Sequence, residues 1–228
     1  MQRFKILGLV LMAVFALSAV VSATASAELP VILTKAKVVA GAVKFKGTNT
    51  TTTKLVKLNG SEVSCSGNTV EGEFEAKKPL GLFHIHFTGC KGPLATTCTG
   101  LSDAAGTILA LGTIHIVYDK LGTGTELGAA VLFLIELLHF SCSIVLILVK
   151  GELLCLITPI NKLATVFTTK CEQEKAGDPK EVVYWNDEGK EVNIKEGLLA
   201  SESDGTFEMS SQVGEGAITT AEEVEIMA

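Results

Sequence analysis

The stretch "LGAAVLFLIELLHFSCSIVLILV", residues 127 to 149, constrains this chain more than any other. Fifteen of its 23 residues are Leu, Ile, Phe or Val, interrupted by Glu136, His139 and the two serines that flank Cys142. About 20 apolar residues suffice for a transmembrane helix. Insertion energies of ~0.3–0.6 kcal/mol per apolar residue outweigh one central acid at about 2.5–3.5 kcal/mol, so hydropathy alone does not choose. Pattern does. "HFSCSIVLILVKGELLCLI" sets Ser141 and Ser143 opposite Phe140, Cys142 and Ile144, and the same character continues past Lys150. Ile144, Val145, Ile147 and Val149 favour strand through their branched Cβ atoms. Only "AAVLFLIELL" has helical local propensity. The segment therefore reads as buried strands, with a single membrane span at 127–149 as the alternative.

Cysteine usage points the same way. The chain opens "MQRFKILGLVLMAVFALSAVVSATASAELP", with Arg3 and Lys5 ahead of an uncharged apolar run and Ala25-Ser26-Ala27 as a small-x-small site. Residues 1–27 thus read as a secretory signal peptide, cleaved before Glu28. Residues 28–228 then form a single β-rich domain, with a subdivision near 158 as a variant. All six cysteines (65, 90, 98, 142, 155 and 171) fall in that part, and an even count behind a signal predicts disulfides. No C-x2-C pair favours zinc. A membrane span at 127–149 would strand an odd thiol on the oxidising side.

Spacing suggests a connectivity. Cys90 and Cys98 bracket "KGPLATT", whose Gly92 and Pro93 turn the chain. Cys155 and Cys171 fall opposite each other if the chain reverses near Asn161 to Leu163. Cys65–Cys142 remains. Chain entropy assigns the three loops ~2.6, ~3.1 and ~4.5 kcal/mol.

Short runs rich in Val, Ile, Thr and Phe recur between turn signals, the all-β pattern. Asn59-Gly60 marks a hairpin. Further turns are expected at Lys77-Lys78-Pro79, Gly122 to Gly124, Asn186 to Gly189 and Asp204-Gly205, with a closing strand at "EEVEIMA". "KFKGTNTTTTKLV" reads as edge strand and turn. The expected fold is an antiparallel β-sandwich or partly closed barrel of about a dozen strands, stapled by disulfides, with under about a tenth of its residues helical.

Phe87-Thr88-Gly89-Cys90, Cys98-Thr99, Ser141-Cys142 before an apolar run, Thr158-Pro159-Ile160-Asn161-Lys162 and a terminal "VEIMA" form one pattern. It resembles a set of short, secreted, uncharacterised actinobacterial proteins with Ala-rich signal peptides and no known activity. The resemblance spans most of residues 28–228 and implies paired β-strands through the apolar run. Cys155 and Cys171 lie outside it.

Charge limits the partners. Without Arg3 and Lys5, 17 lysines face 25 acids, a net charge of −8 with no arginine left. Residues 28–150 carry +2 and residues 151–228 carry −10. Arginine is the usual two-point ligand for phosphate, so nucleic acid and anionic lipid are excluded as partners. No membrane association is expected once the signal is removed; a cell-surface or protein partner remains open.

Catalytic signals are thin. "FHIHF" puts His84 and His86 on one strand face and "TIHIV" adds His115, so three imidazoles would converge on a zinc with an open fourth position if these strands were neighbours. Without a placed acidic second shell, a solvated sheet face is the better reading. Cys142 with His139 has the makings of a thiol nucleophile and base, but export and even cysteine parity favour a disulfide. Glu71 and Glu73 share a strand and read as a solvated edge. "WNDEGKEVNIKEG" fails the EF-hand loop pattern. Asn49-Thr50-Thr51 and Asn59-Gly60-Ser61 are glycosylation sequons. No catalytic residue, cofactor or metal is therefore assigned. The expected role is a secreted non-catalytic β module, structural or binding, at or near the cell surface. A secreted hydrolase or metal-dependent enzyme is the second class.

Overall fold

The computed structural model describes residues 30–37, 40–57, 59–75, 80–120, 127–172, 181–185, 191–195, 198–203 and 205–227. The signal segment, the turns at 77–79, 122–124 and 186–189, and Asp204 lie outside these. The strands are β1 (Val31–Thr34), β2 (Ala42–Asn49), β3 (Thr53–Lys57), β4 (Glu62–Glu75), β5 (Leu80–Lys91), β6 (Cys98–Gly100), β7 (Thr107–Lys120), β8 (Leu127–Cys142), β9 (Val145–Thr158), β10 (Ala164–Glu172), β11 (Glu181–Trp185), β12 (Glu191–Lys195), β13 (Leu198–Glu202) and β14 (Glu208–Met227). Among the described residues the one helical element is a 3-10 turn at Pro93–Ala95.

Twelve strands share one antiparallel sheet, while β11 and β12 pair only with each other. The path runs β9, β13, β14, β2, β4, β5, β7, β8, and β8 pairs with β9 again. The circuit is uneven. Between β14 and β4 the neighbour is β2 for one half and β3 for the other. Between β9 and β14 the place is shared by β10 and β13. The result is a partly closed, disulfide-linked sheet rather than a clean barrel. β2 and β3, expected at an edge, lie inside this circuit. β9 and β10, on either side of position 158, pair with each other within it.

Turn chemistry sets several registers. In the β3–β4 hairpin Gly60 takes φ +79°, and the Ser61 amide donates to the Asn59 side-chain oxygen at 2.8 Å. Between β13 and β14 Gly205 takes φ +77°. In β5, Phe87 and Cys90 are both buried although three residues apart. Left-handed Gly89 between them rolls the strand over.

The apolar run is a hairpin. Its first part is β8, the chain reverses at Ser143 and Ile144, and the rest enters β9. Val131, Phe133 and Ile135 join the main core. Ala130 and Leu132 instead join Val117 and Leu154 in a second cluster on the opposite face. Burial on both faces explains why β8 reads as continuous hydrophobicity rather than alternation. Past Ile135, Glu136 and Leu137 together oppose Lys150 in a β-bulge that shifts the parity. Phe140 and Cys142 become the buried positions. The helical-span alternative for 127–149 thus fails, and no helix among the described residues is long and apolar enough to cross a membrane. Ile144, expected on the face of Cys142, instead stands exposed at the hairpin tip.

Two of the three expected disulfides are corrected. Cys65 is bonded to Cys90 and Cys98 to Cys142, not Cys90 to Cys98 or Cys65 to Cys142; Cys155 is bonded to Cys171. All three join residues directly opposite in antiparallel ladders, with Cα separations of 4.0, 4.0 and 4.1 Å. The turn at 92–96 does bring Lys91 beside Thr97. Cys90, however, faces Cys65 across β4 and β5, and Cys98 faces Cys142 across β6 and β8. Short loop length was the wrong guide. Strand register decided.

Candidate functional site

On the outer surface of β14, β2, β4, β5, β7 and β8 lies a concave groove of about 1170 Å³. Glycines let the sheet bend there. Phe45 of β2 faces Gly72 of β4, Gly72 faces Phe83 of β5, and Phe83 faces Gly112 of β7. Each ring lies over the neighbouring glycine. A Cβ at Gly72 would strike the Phe45 ring, and one at Gly112 would sit 2.8 Å from that of Phe83. The buried rings fill the inner space that side chains at Gly72 and Gly112 would take, and bending at strand glycines accompanies such packing.

Two cross-strand rows line the groove. One runs Lys46, Glu71, His84, Leu111; the next runs Lys44, Glu73, Leu82, Thr113. Lys46 Nζ donates to Glu71 Oε1 at 3.0 Å, and Lys44 Nζ lies 3.9 Å from Glu73 Oε2. The hydrogen bond and positive charge of Lys46, with a further contribution from His84, hold the Glu71 carboxyl below its ordinary range. Glu71 stays ionised, unsuited to act as a general acid. Toward β8 the groove turns apolar, with Leu82 and Leu111 70% and 60% exposed and Leu137 raised on the bulge beside Glu136.

The candidate imidazoles do not converge. β5 and β7 are neighbours, but His115 faces Leu80, four pairs along from the Leu111 that faces His84. That offset is roughly 13 Å. On its other side His115 faces Leu132, at the second cluster. His84 and His86 approach with ring centroids 6.0 Å apart, and His84 Nε2 lies 3.5 Å from Glu71 Oε2. Among the described residues no group of three or more His, Cys, Asp or Glu side chains forms a metal-binding cluster. Cys142 is oxidised, so His139 has no thiol to activate. The Asn49 amide of the first sequon donates to the Thr51 and Ser66 carbonyls. Within the acidic loop residues 186–190 lie outside those described.

The lysine row and the leucines of the groove escaped sequence reading. One cue was present: Leu82 shares parity with His84 and His86, an apolar residue on a polar strand face. No family model, curated protein or solved structure matches the chain.

Proposed function

We propose that the protein is a non-catalytic β module, exported and held at or near the cell surface, that works by binding through its outer groove. The observation that carries this is the division of one bent sheet face into a paired lysine and glutamate side and an exposed leucine side. Interfaces of that composition combine orientation from charge with affinity from apolar area. A partner with an apolar segment next to a charged one fits it. The Glu71 carboxylate, kept ionised, serves such a partner as a fixed charge.

The test uses the chain from Glu28, which contains every described residue, and washed envelope material from the source cells. Saturable binding is expected, weakened about tenfold or more when Leu82 and Leu111 are both changed to Asp. Both side chains are mostly exposed, so the unfolding midpoint should hold. Absent binding, or binding that ignores the double substitution, overturns the proposal.

A further inference from the structure

The end of the molecule away from the groove carries a different feature. The 3-10 turn Pro93–Ala95 and the β8–β9 turn at Ser143 and Ile144 stand side by side. The Ser143 amide donates to the Thr97 carbonyl at 3.3 Å, and Cys98–Cys142 ties the two turns together. A Cβ at Gly92 would sit 3.1 Å from the Cys98 and Cys142 sulfurs, so the first turn packs on the bridge itself. From this fixed base Leu94 is 99% and Ile144 95% exposed, with Val145 and Leu146 partly exposed beside them.

Leu94 is unfavourable twice. Its side chain stands in water, and its backbone is left-handed at φ 57°, followed by Ala95 at φ 58°. Glycine or asparagine would suit both positions better. A bulky aliphatic residue kept in an adverse backbone conformation and offered entirely to solvent is a mark of functional use. Between Gly92 and Thr99, and between Phe140 and Val149, the sequence has no charged residue. The tip is convex, aliphatic, and free of aromatic rings and arginine.

We infer that this double-turn tip inserts shallowly into an electrically neutral lipid surface. Its exposed aliphatic area is on the order of 500 Å², short of the roughly 800 Å² per partner of a stable protein interface, and it lacks the aromatic and arginine anchors of one. A lipid layer needs no complementary shape and accepts small aliphatic protrusions. The net charge of −8 for residues 28–228 selects against anionic headgroups. The inference does not depend on the groove, whose Leu82, Leu111 and Leu137 belong to other stretches of β5, β7 and β8.

The experiment is co-flotation of the chain from Glu28 with phosphatidylcholine vesicles, with and without phosphatidylglycerol. The variant is Leu94→Asn with Ile144→Ser. Asparagine tolerates the left-handed turn, so the unfolding midpoint should hold or rise while vesicle binding falls about tenfold or more. Phosphatidylglycerol should weaken binding by the unaltered chain. Three results overturn the inference: no flotation of the unaltered chain, equal flotation of the variant, or self-association in solution that the variant abolishes. Leu82→Asp with Leu111→Asp should float normally, which separates this surface from the groove.

Discussion

Residues 130–135 and 143–146 belong to one apolar run, yet the first stretch is almost wholly buried and the second is exposed. In the first, consecutive side chains from Ala130 to Phe133 are buried, alternately in the main core and the second cluster. In the second, the chain must reverse, and Ile144 projects from the turn with nothing packed over it. Both are rich in aliphatic residues. The difference lies in what stands on each side: β7 and β9 flank the first stretch in the sheet, while the second ends both strands. Hydropathy measures what a residue would gain from burial; register and cover decide whether it is buried.

The largest expected effect is at Leu132. Leu132→Asp places a carboxylate in the apolar cluster of Val117 and Leu154, opposite His115, and should cost more than about 4 kcal/mol. Ile144→Asp should change stability by no more than ~0.5 kcal/mol. Urea unfolding midpoints of the two variants make the comparison directly. Similar losses for both would erase the distinction between the two stretches.

The next effect concerns the bridge that holds the exposed part in place. Changing Cys98 and Cys142 to Ala removes a cross-link worth up to ~4.0 kcal/mol by chain entropy, against ~3.1 kcal/mol for Cys155–Cys171. Amide hydrogen exchange should quicken most at residues 141–146 and least at 130–135, since the bridge closes β6 onto the end of β8. Uniform quickening along β8 would show that the bridge stabilises the whole sheet and not its tip.

Sequence pattern read the β architecture correctly because turn residues and branched side chains act locally: Asn59-Gly60 needs nothing beyond its own hairpin. The strand reading of 127–149 also held, although its two-sided burial was invisible, since the second cluster joins Val117 and Leu154 from distant parts of the chain. Disulfide pairing failed for the same kind of reason. Cys90 and Cys98 are neighbours along the chain, but their partners are fixed by registers of β4 with β5 and of β6 with β8. Cys155 and Cys171 were legible because a local hairpin sets that register. The groove depends on six strands meeting, and no local spacing encodes the cross-strand rows that bring its lysines and leucines together. His115 shows the limit: its strand was a neighbour of β5, and only the offset excluded it from His84.

The smallest predicted effect marks where two-sided burial ends. Glu152 faces Leu134, whose side chain packs against the edge of the second cluster, and partial burial raises its carboxyl above the ordinary value of 4.5. The sign follows from linkage. Below about pH 4 both folded and unfolded chains hold the proton, and Glu152 costs nothing. As pH rises, the unfolded chain releases it first, so stability falls until the folded carboxyl has ionised as well. Glu152→Gln removes that loss. At neutral pH the variant should melt ~1 °C higher, because the group is only partly buried and solvent screens most of the penalty. At about pH 4 the two melting temperatures should coincide. Thermal unfolding at both pH values reads the difference. A variant no more stable than the unaltered chain at neutral pH would place Glu152 in full solvent and end the second cover short of Leu134.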